Sequence, residues 1–423
     1  MFAGKSRLGG SVTARKSEIS NQKSAIDFDD SYTKLLSWCR DHDFAGYDPF
    51  DALNSPVFQS TPLARSRNAR LLWTQLVKRL PSDLRALSRV PPERNSKGIA
   101  LFCLAQISNH RRMKSPASEM QARSLLEDLL AMQIGGYAGA AWGYNFDWQS
   151  RNFFAPKGTP TVVPTAFAAR AFVEAAREFH DGEYLSIARS ACDFIVNDLP
   201  RKQLSSDQIC FSYTPQSDTQ IFNASLMGAE VLASVGGLTG EDDLLSLAEM
   251  AARYAIHQQR SDGSWTYGTD RKQDWVDNFH TAFVLFSLKT IIDACSLGAE
   301  FKQSLQRGYE YWKKNFFLAD GWPKYYDGEI YPADAHAGAS AIVTFLELHE
   351  LDSNSVSQAE NVARWTIENL QDTQGFFYYQ KRRFYTVKKP YMRWSQAWML
   401  YALARLCENK RVSADYADYA DFF

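Results

Sequence analysis

Runs with few charges alternate along this chain with amphipathic runs, and the alternation is regular. The apolar runs TAFAARAF, NASLMGAEVL, HTAFVLFSL, HAGASAIVTFL and WSQAWMLYAL align so that Thr165, Asn223, His280, His336 and Trp394 share one register. Their successive spacings are 58, 57, 56 and 58 residues. Each run, such as Thr281–Ile292 or Ala337–Leu348, is hydrophobic almost all round, as a helix is when neighbours cover every side. Between them, segments 184–197, 242–257, 301–315 and 355–369 alternate Glu, Arg and Lys with apolar residues at three and four spacing. That is the pattern of an outer helix with one solvated face. An aromatic turn precedes each apolar run: Trp142-Gly-Tyr144, Phe211-Ser-Tyr213, Trp265-Thr-Tyr267, Gly321-Trp322 and Gly375-Phe-Phe-Tyr378. A period well above one helix, punctuated this way, reads as a repeat of helical hairpins.

Counting backwards adds Gly98–Ile107 as a sixth low-charge helix, with Ser118–Met132 as its outer partner. Six inner helices then begin near 98, 164, 222, 279, 335 and 393, but only five outer helices follow them. An N-terminal helix, either Ser31–Asp41 or Leu63–Arg79, supplies the missing member and closes the ring, removing the end faces that an open solenoid must cap. The predicted fold is all-α, an (α/α)6 toroid of helical hairpins with short aromatic turns. It forms a single domain over 29–410, between a flexible leader (1–28) and a flexible acidic, aromatic tail (411–423). Inner helices of such a ring run parallel. Their N-terminal ends, with partial positive charge and unsatisfied N–H groups, share one rim suited to a polar or anionic ligand.

Composition narrows the picture only in places. Of 423 residues, 14% are aromatic, enough to fill a wide core or to line a ligand cleft. A formal charge of -1 and the lack of a Lys/Arg stripe predict no nucleic-acid partner. No run nears the ~18 apolar residues of a membrane span, and the basic, Ser-rich start has no apolar signal region. Six scattered cysteines without CxxC pairing read as buried free thiols of a reducing, cytoplasmic compartment, and no metal or cofactor is expected. P-loop, Rossmann, GxSxG and HExxH signatures are missing.

The turn Gln259-Arg-Ser-Asp262-Gly263-Ser264-Trp265 resembles the QW motif of terpenoid cyclases and prenyltransferase-like toroids, and Gln371-Asp-Thr-Gln-Gly375-Phe-Phe377 is a degraded copy. In that family the motif ties adjacent helices at the periphery of the ring. The acidic DxDD-like cluster of such cyclases is not present, and prenyltransferase zinc ligands are not recognisable. The repeat also resembles six-hairpin carbohydrate-active toroids: polysaccharide lyases, uronyl epimerases and inverting glycosidases. That resemblance implies aromatic platforms and Asn, His, Tyr, Arg or paired carboxylates around the rim. The segment Gly46-Tyr-Asp-Pro-Phe-Asp51-Ala-Leu-Asn54-Ser55 is similar to toroids of polysaccharide-biosynthesis loci.

His280 and His336 open successive inner helices, with Asn223 one unit earlier. They read either as acid and base with an amide that holds a carboxylate or hydroxyl, or as helix caps. Asp277 and Asp334, just ahead of them, read as N-caps or as a glycosidase pair. Asp147 and Arg151 sit in an aromatic loop with Tyr144 and Trp148, which is either a sugar-binding edge with a catalytic acid or phenol, or a structural ion pair. Arg393, opening an otherwise uncharged helix, suits a forked contact to a carboxylate or phosphate, or a buried ion pair. Trp142, Tyr213, Trp265, Trp322 and Trp394 are the candidate aromatic contacts to substrate.

The leading expectation is an enzyme acting on a saccharide or uronate-containing polymer by proton abstraction, or as a glycosidase, with partners in a polysaccharide assembly pathway. An isoprenoid-handling toroid and a non-catalytic glycan-binding scaffold are the alternatives, since fold alone does not fix function.

Overall fold

In the computed structural model, which describes residues 26–150 and 154–420, helices dominate from Phe28 onward. The inner helices are α4 (Ser96–Met113), α6 (Val162–Phe179), α8 (Phe222–Thr239), α10 (Asn278–Ala294), α12 (Ala335–Glu347) and α14 (Trp398–Ala420). The outer helices between them are α5 (Pro116–Ala131), α7 (Gly182–Asn197), α9 (Asp242–His257), α11 (Ala299–Phe316) and α13 (Ser355–Leu370). Each inner helix packs against the next, and α14 returns to α4, so the ring is closed. Of the two candidates for the closing helix, α1 (Phe28–Asp41) packs on α14 as the sixth outer member. After the short α2 (Pro56–Gln59), helix α3 (Arg67–Arg79) stands beside the mouth, held by Trp73 Nε1 donating to Ala52 O at 2.9 Å and by Arg70 donating to Gln149. The protein is an (α/α)6 toroid.

The QW-like turns show how the periphery is tied. Gln259 Nε2 donates to Ser304 O of α11 at 2.9 Å, while Ser304 Oγ donates back to Gln259 Oε1 at 2.7 Å. The degraded copy repeats this at the seam: Ser31 Oγ of α1 donates to Gln371 Oε1 at 2.9 Å, and Gln371 Nε2 donates to Ser31 O at 3.2 Å. Gly375 has φ +100 there, and a Cβ on it would lie 2.6 Å from the Lys34 carbonyl oxygen of α1. A side chain has neither the conformation nor the space.

Short antiparallel ribbons decorate the loops. One has the strand order β1 (Ala333–Asp334), β2 (Gln380–Lys381), β3 (Thr386–Val387) and sets Asp334 opposite Gln380. No glycine or proline interrupts 398–420, and α14 accordingly runs ten residues past 410, into the segment expected to be a flexible tail. The expected leader lies almost wholly outside the described residues. All six cysteines are free, five of them buried. Among the described residues no helix is long and apolar enough to cross a membrane.

Candidate active site

The N-terminal ends of the inner helices meet at a cavity of about 590 Å³. Taking the second residue after each N-cap gives Lys97, Val163, Asn223, Phe279, His336 and Arg393, and all six line it. This offset, not the apolar alignment itself, is the true register of the floor. Arg393 and Trp394 reach it from a single wide π-helical turn, Met392–Ala397, that precedes α14. Such turns turn up often at functional sites. Aromatic rings form the walls, including Tyr144, Trp148, Tyr213, Tyr267 and Trp275, while α3 adds Leu71, Gln75 and Arg79 at the mouth.

His280 and His336 line the same cavity but are held differently. Asp277 caps α10 by accepting from His280 N at 3.0 Å, and its other oxygen meets His280 Nδ1 at 2.7 Å and accepts from Trp275 Nε1 at 3.0 Å. The carboxylate thus fixes the tautomer with the proton on Nδ1, leaving Nε2 as the free lone pair on a half-buried ring. The expected N-cap and the expected catalytic neighbour are therefore one group. His336 is 1% exposed, and neither ring nitrogen has a partner. Trp394, Phe279 and Trp398 surround it with ring centroids at 4.3, 4.7 and 4.9 Å. Burial, with Lys97 and Arg393 as neighbouring cations, pushes its imidazolium well below the usual histidine range, so the ring is neutral. Phe279 separates the two imidazoles and touches both.

Asn223 is also buried at the floor, and its Oδ1 has no partner. Arg393 gives Nε and Nη2 to the two oxygens of Asp48 at 2.6 and 2.8 Å. The motif 46–55 explains this clasp. Asp48 holds Arg393, Asp51 holds the fully buried Arg85 at 2.7 Å, and Phe50 turns to the cavity. Trp394 donates Nε1 to Asp334 at 3.0 Å. Tyr144 and Tyr213 share a hydroxyl contact of 3.3 Å, and burial raises both phenols above the usual range.

Other sequence candidates lie elsewhere. Asp334 is fully buried behind His336 and Trp394, caps α12, and is not part of the lining; burial raises its carboxyl to about 6. Trp142 and Trp265 point into the wall of the ring, not the funnel, where they donate to the last turns of α5 and α9 through Leu129 O and Ala255 O at 2.7 and 2.8 Å. Trp322 packs against Trp365 and Tyr331, also away from the cavity. A large ring at each turn fills the wedge between adjacent hairpins, which is why the aromatic punctuation recurs. Asp147 accepts from Lys157 N at 2.7 Å outside the cavity, and Arg151 lies outside the described residues.

Lys97 is not among the sequence candidates, although Asn95 is a cap signal three residues ahead of the apolar run that starts at Gly98. It is 3% exposed, with Nζ 4.4, 5.2 and 5.3 Å from the ring centroids of Phe167, Phe283 and Trp398. Among the described residues, no group of three or more His, Cys, Asp or Glu comes together as a metal-holding set.

No family model and no curated protein matches the sequence. Solved structures do. The chain is similar to cellobiose 2-epimerase from Bacillus thermoamylovorans, with a TM-score of 0.60 and 14% identity over 77% of this chain and 90% of that one. An α-mannanase of glycoside hydrolase family 76 from Bacteroides thetaiotaomicron gives 0.58 and 12% over 75% and 87%. An unsaturated glucuronyl hydrolase specific for heparin gives 0.56 and 14% over 74% and 86%. At such identities the likeness establishes the toroid fold and nothing narrower.

Proposed function

We propose that this protein is an enzyme that modifies a saccharide by proton transfer at a sugar carbon, the chemistry of epimerases and lyases. One observation carries the reading: His280, oriented by Asp277 so that Nε2 is free, shares a cavity with the neutral, unpartnered His336. His280 Nε2 takes the carbon-bound proton as base, and its imidazolium then gives that proton to the departing oxygen. The neutral His336 across Phe279 offers one N–H and one lone pair to the substrate, and aromatic walls stack on the sugar faces. The solved neighbours named above, by their own descriptions, act on saccharides, which supports the same class. Asn223 and Tyr144 are the groups placed to hold hydroxyls.

The isoprenoid reading asks for a deep apolar cavity with an acid at its mouth. This floor carries Lys97, Asn223, His336 and Arg393, and its one carboxylate, Asp277, is already engaged by Trp275 and His280. The scaffold reading is separated by turnover. In deuterium oxide, a panel of disaccharides and uronate oligomers is incubated with the protein, and deuterium entering a ring carbon is followed by NMR. Exchange by the wild type, lost in a folded His280→Ala, His336→Ala double variant, supports the enzyme. Binding without exchange or cleavage across the panel refutes it.

A further inference from the structure

Basic side chains outnumber carboxylates around the cavity. Four basic side chains, Arg79, Lys97, Lys272 and Arg393, line the space against a single carboxylate, Asp277. Arg393 was the sequence candidate for recognising an acid, but its fork is already closed on Asp48. Lys97 is different. Its ammonium nitrogen meets three aromatic rings and no carboxylate among the described residues. Beside it, His336 and the Asn223 carbonyl oxygen are more than nine-tenths buried, line the same space and have no partners. Six helix N-termini converge on the same spot. Unmatched polar groups at such a place are a site awaiting its ligand, because each costs free energy until it is paired.

Resting on the saccharide reading above, we propose that the substrate is an acidic sugar and that Lys97 is the residue that binds its anionic group. The shared chemistry is a cluster of anionic oxygens, whether a uronate carboxylate or a sulfate or phosphate ester. The charged and titratable groups facing Lys97 are Arg393 on the π-helical turn, Arg170 on α6, His336 on α12, and Asp48, which Arg393 holds. Burial, with Arg393 and Arg170 as like charges, holds the Lys97 ammonium well below the usual lysine range. The free site therefore disfavours the charged form of the amine. An arriving anion supplies the missing countercharge and favours the protonated amine as the ligand seats. Arg79 and Lys272 at the mouth steer the same charge inward.

The test is calorimetric titration of the full chain with glucuronic acid, glucose 6-sulfate, glucose 6-phosphate and glucose, in buffers of low and high ionisation enthalpy. At least one anionic probe should bind ~10-fold or more tighter than glucose, the difference a charge-assisted contact makes, with net proton uptake. The probe that wins identifies carboxylate or ester. Lys97→Met should abolish both the preference and the uptake, while Lys97→Arg should keep the preference without the uptake, since arginine stays charged. Glucose binding as tightly as the acids, a preference that survives Lys97→Met, or no anionic probe binding at millimolar concentration would overturn the assignment. Anion binding with these signatures but no turnover of any glycan would leave Lys97 in place and sink the enzymatic reading. Turnover of a neutral glycan, unchanged by Lys97→Met, would do the reverse.

Discussion

The outer rim of the ring and the floor of its cavity are built from the same repeat, yet they treat polar groups in opposite ways. At the rim, Gln259 and Gln371 have their amides engaged on both sides, and Trp142 and Trp265 each have their N–H satisfied by a carbonyl. At the floor, both nitrogens of His336 and Oδ1 of Asn223 are buried without partners, and Lys97 faces rings with no carboxylate in ion-pair contact among the described residues. Complete pairing at these turns fits groups that hold the hairpins together, and unpaired groups that line the cavity fit ones that hold a ligand. Recurrence in sequence thus points first to the rim, because every hairpin needs the same wedge, whereas each floor position carries a different side chain.

That contrast breaks if floor and rim variants behave alike. The largest expected effect is at the floor: His280→Ala should lower kcat by ~100- to 10,000-fold, the range of a lost general acid or base, with a smaller melting shift than any rim variant. At the rim, Trp265→Ala should cost ~3–5 kcal/mol in denaturant unfolding, as a buried ring is lost. Its kcat, measured well below the melting transition, should stay near that of the wild type. Gly375→Ala at the seam, where φ is +100, should cost ~1–3 kcal/mol. Equal losses of kcat and stability in both groups would dissolve the distinction.

Lys97→Met sharpens it, because the expected sign is positive. Removing an unpartnered buried amine should raise stability by ~1–3 kcal/mol while weakening acidic ligands. The pH dependence follows. With its pKa lowered in the fold, Lys97 binds no proton where the unfolded chain does, so its contribution to stability is lost as pH falls through the unfolded value of ~10.4. Wild-type stability should rise between neutral pH and pH ~10 more steeply than that of Lys97→Met, in which Lys78 and Lys389, also lowered by burial, still contribute. An unchanged slope in urea titrations at several pH values would show that the amine is charged and matched after all.

The toroid, its six inner helices and its seam were legible because hydrophobic periodicity reports burial, and burial is what a ring imposes on each hairpin. The pairing of His280 with Asp277 was partly legible, since a cap three residues ahead of a helix-start histidine can reach both its N–H and its ring. Lys97 is hidden because hydrophobic periodicity marks the start of the first inner helix at its apolar run, Gly98. The lysine's charge then looks like a flank, although the cap at Asn95 places it at the same offset as His336 and Arg393. The tryptophans misled for the opposite reason. Trp142, Trp265 and Trp322 recur like a binding platform, but a repeated large ring is what repeated packing needs. Nothing local in the sequence distinguished Trp394, which does reach the cavity, from those three.

The clasp between Asp48 and Arg393 joins positions 345 residues apart. During translation Asp48 emerges 345 residues ahead of its cation, which is carried by the turn that also delivers Trp394. The floor is complete only where the turn carrying Arg393 and Trp394 docks on Asp48 and on the first inner helix. A ribosome stalled before residue 393 would carry most of the scaffold and none of the finished floor.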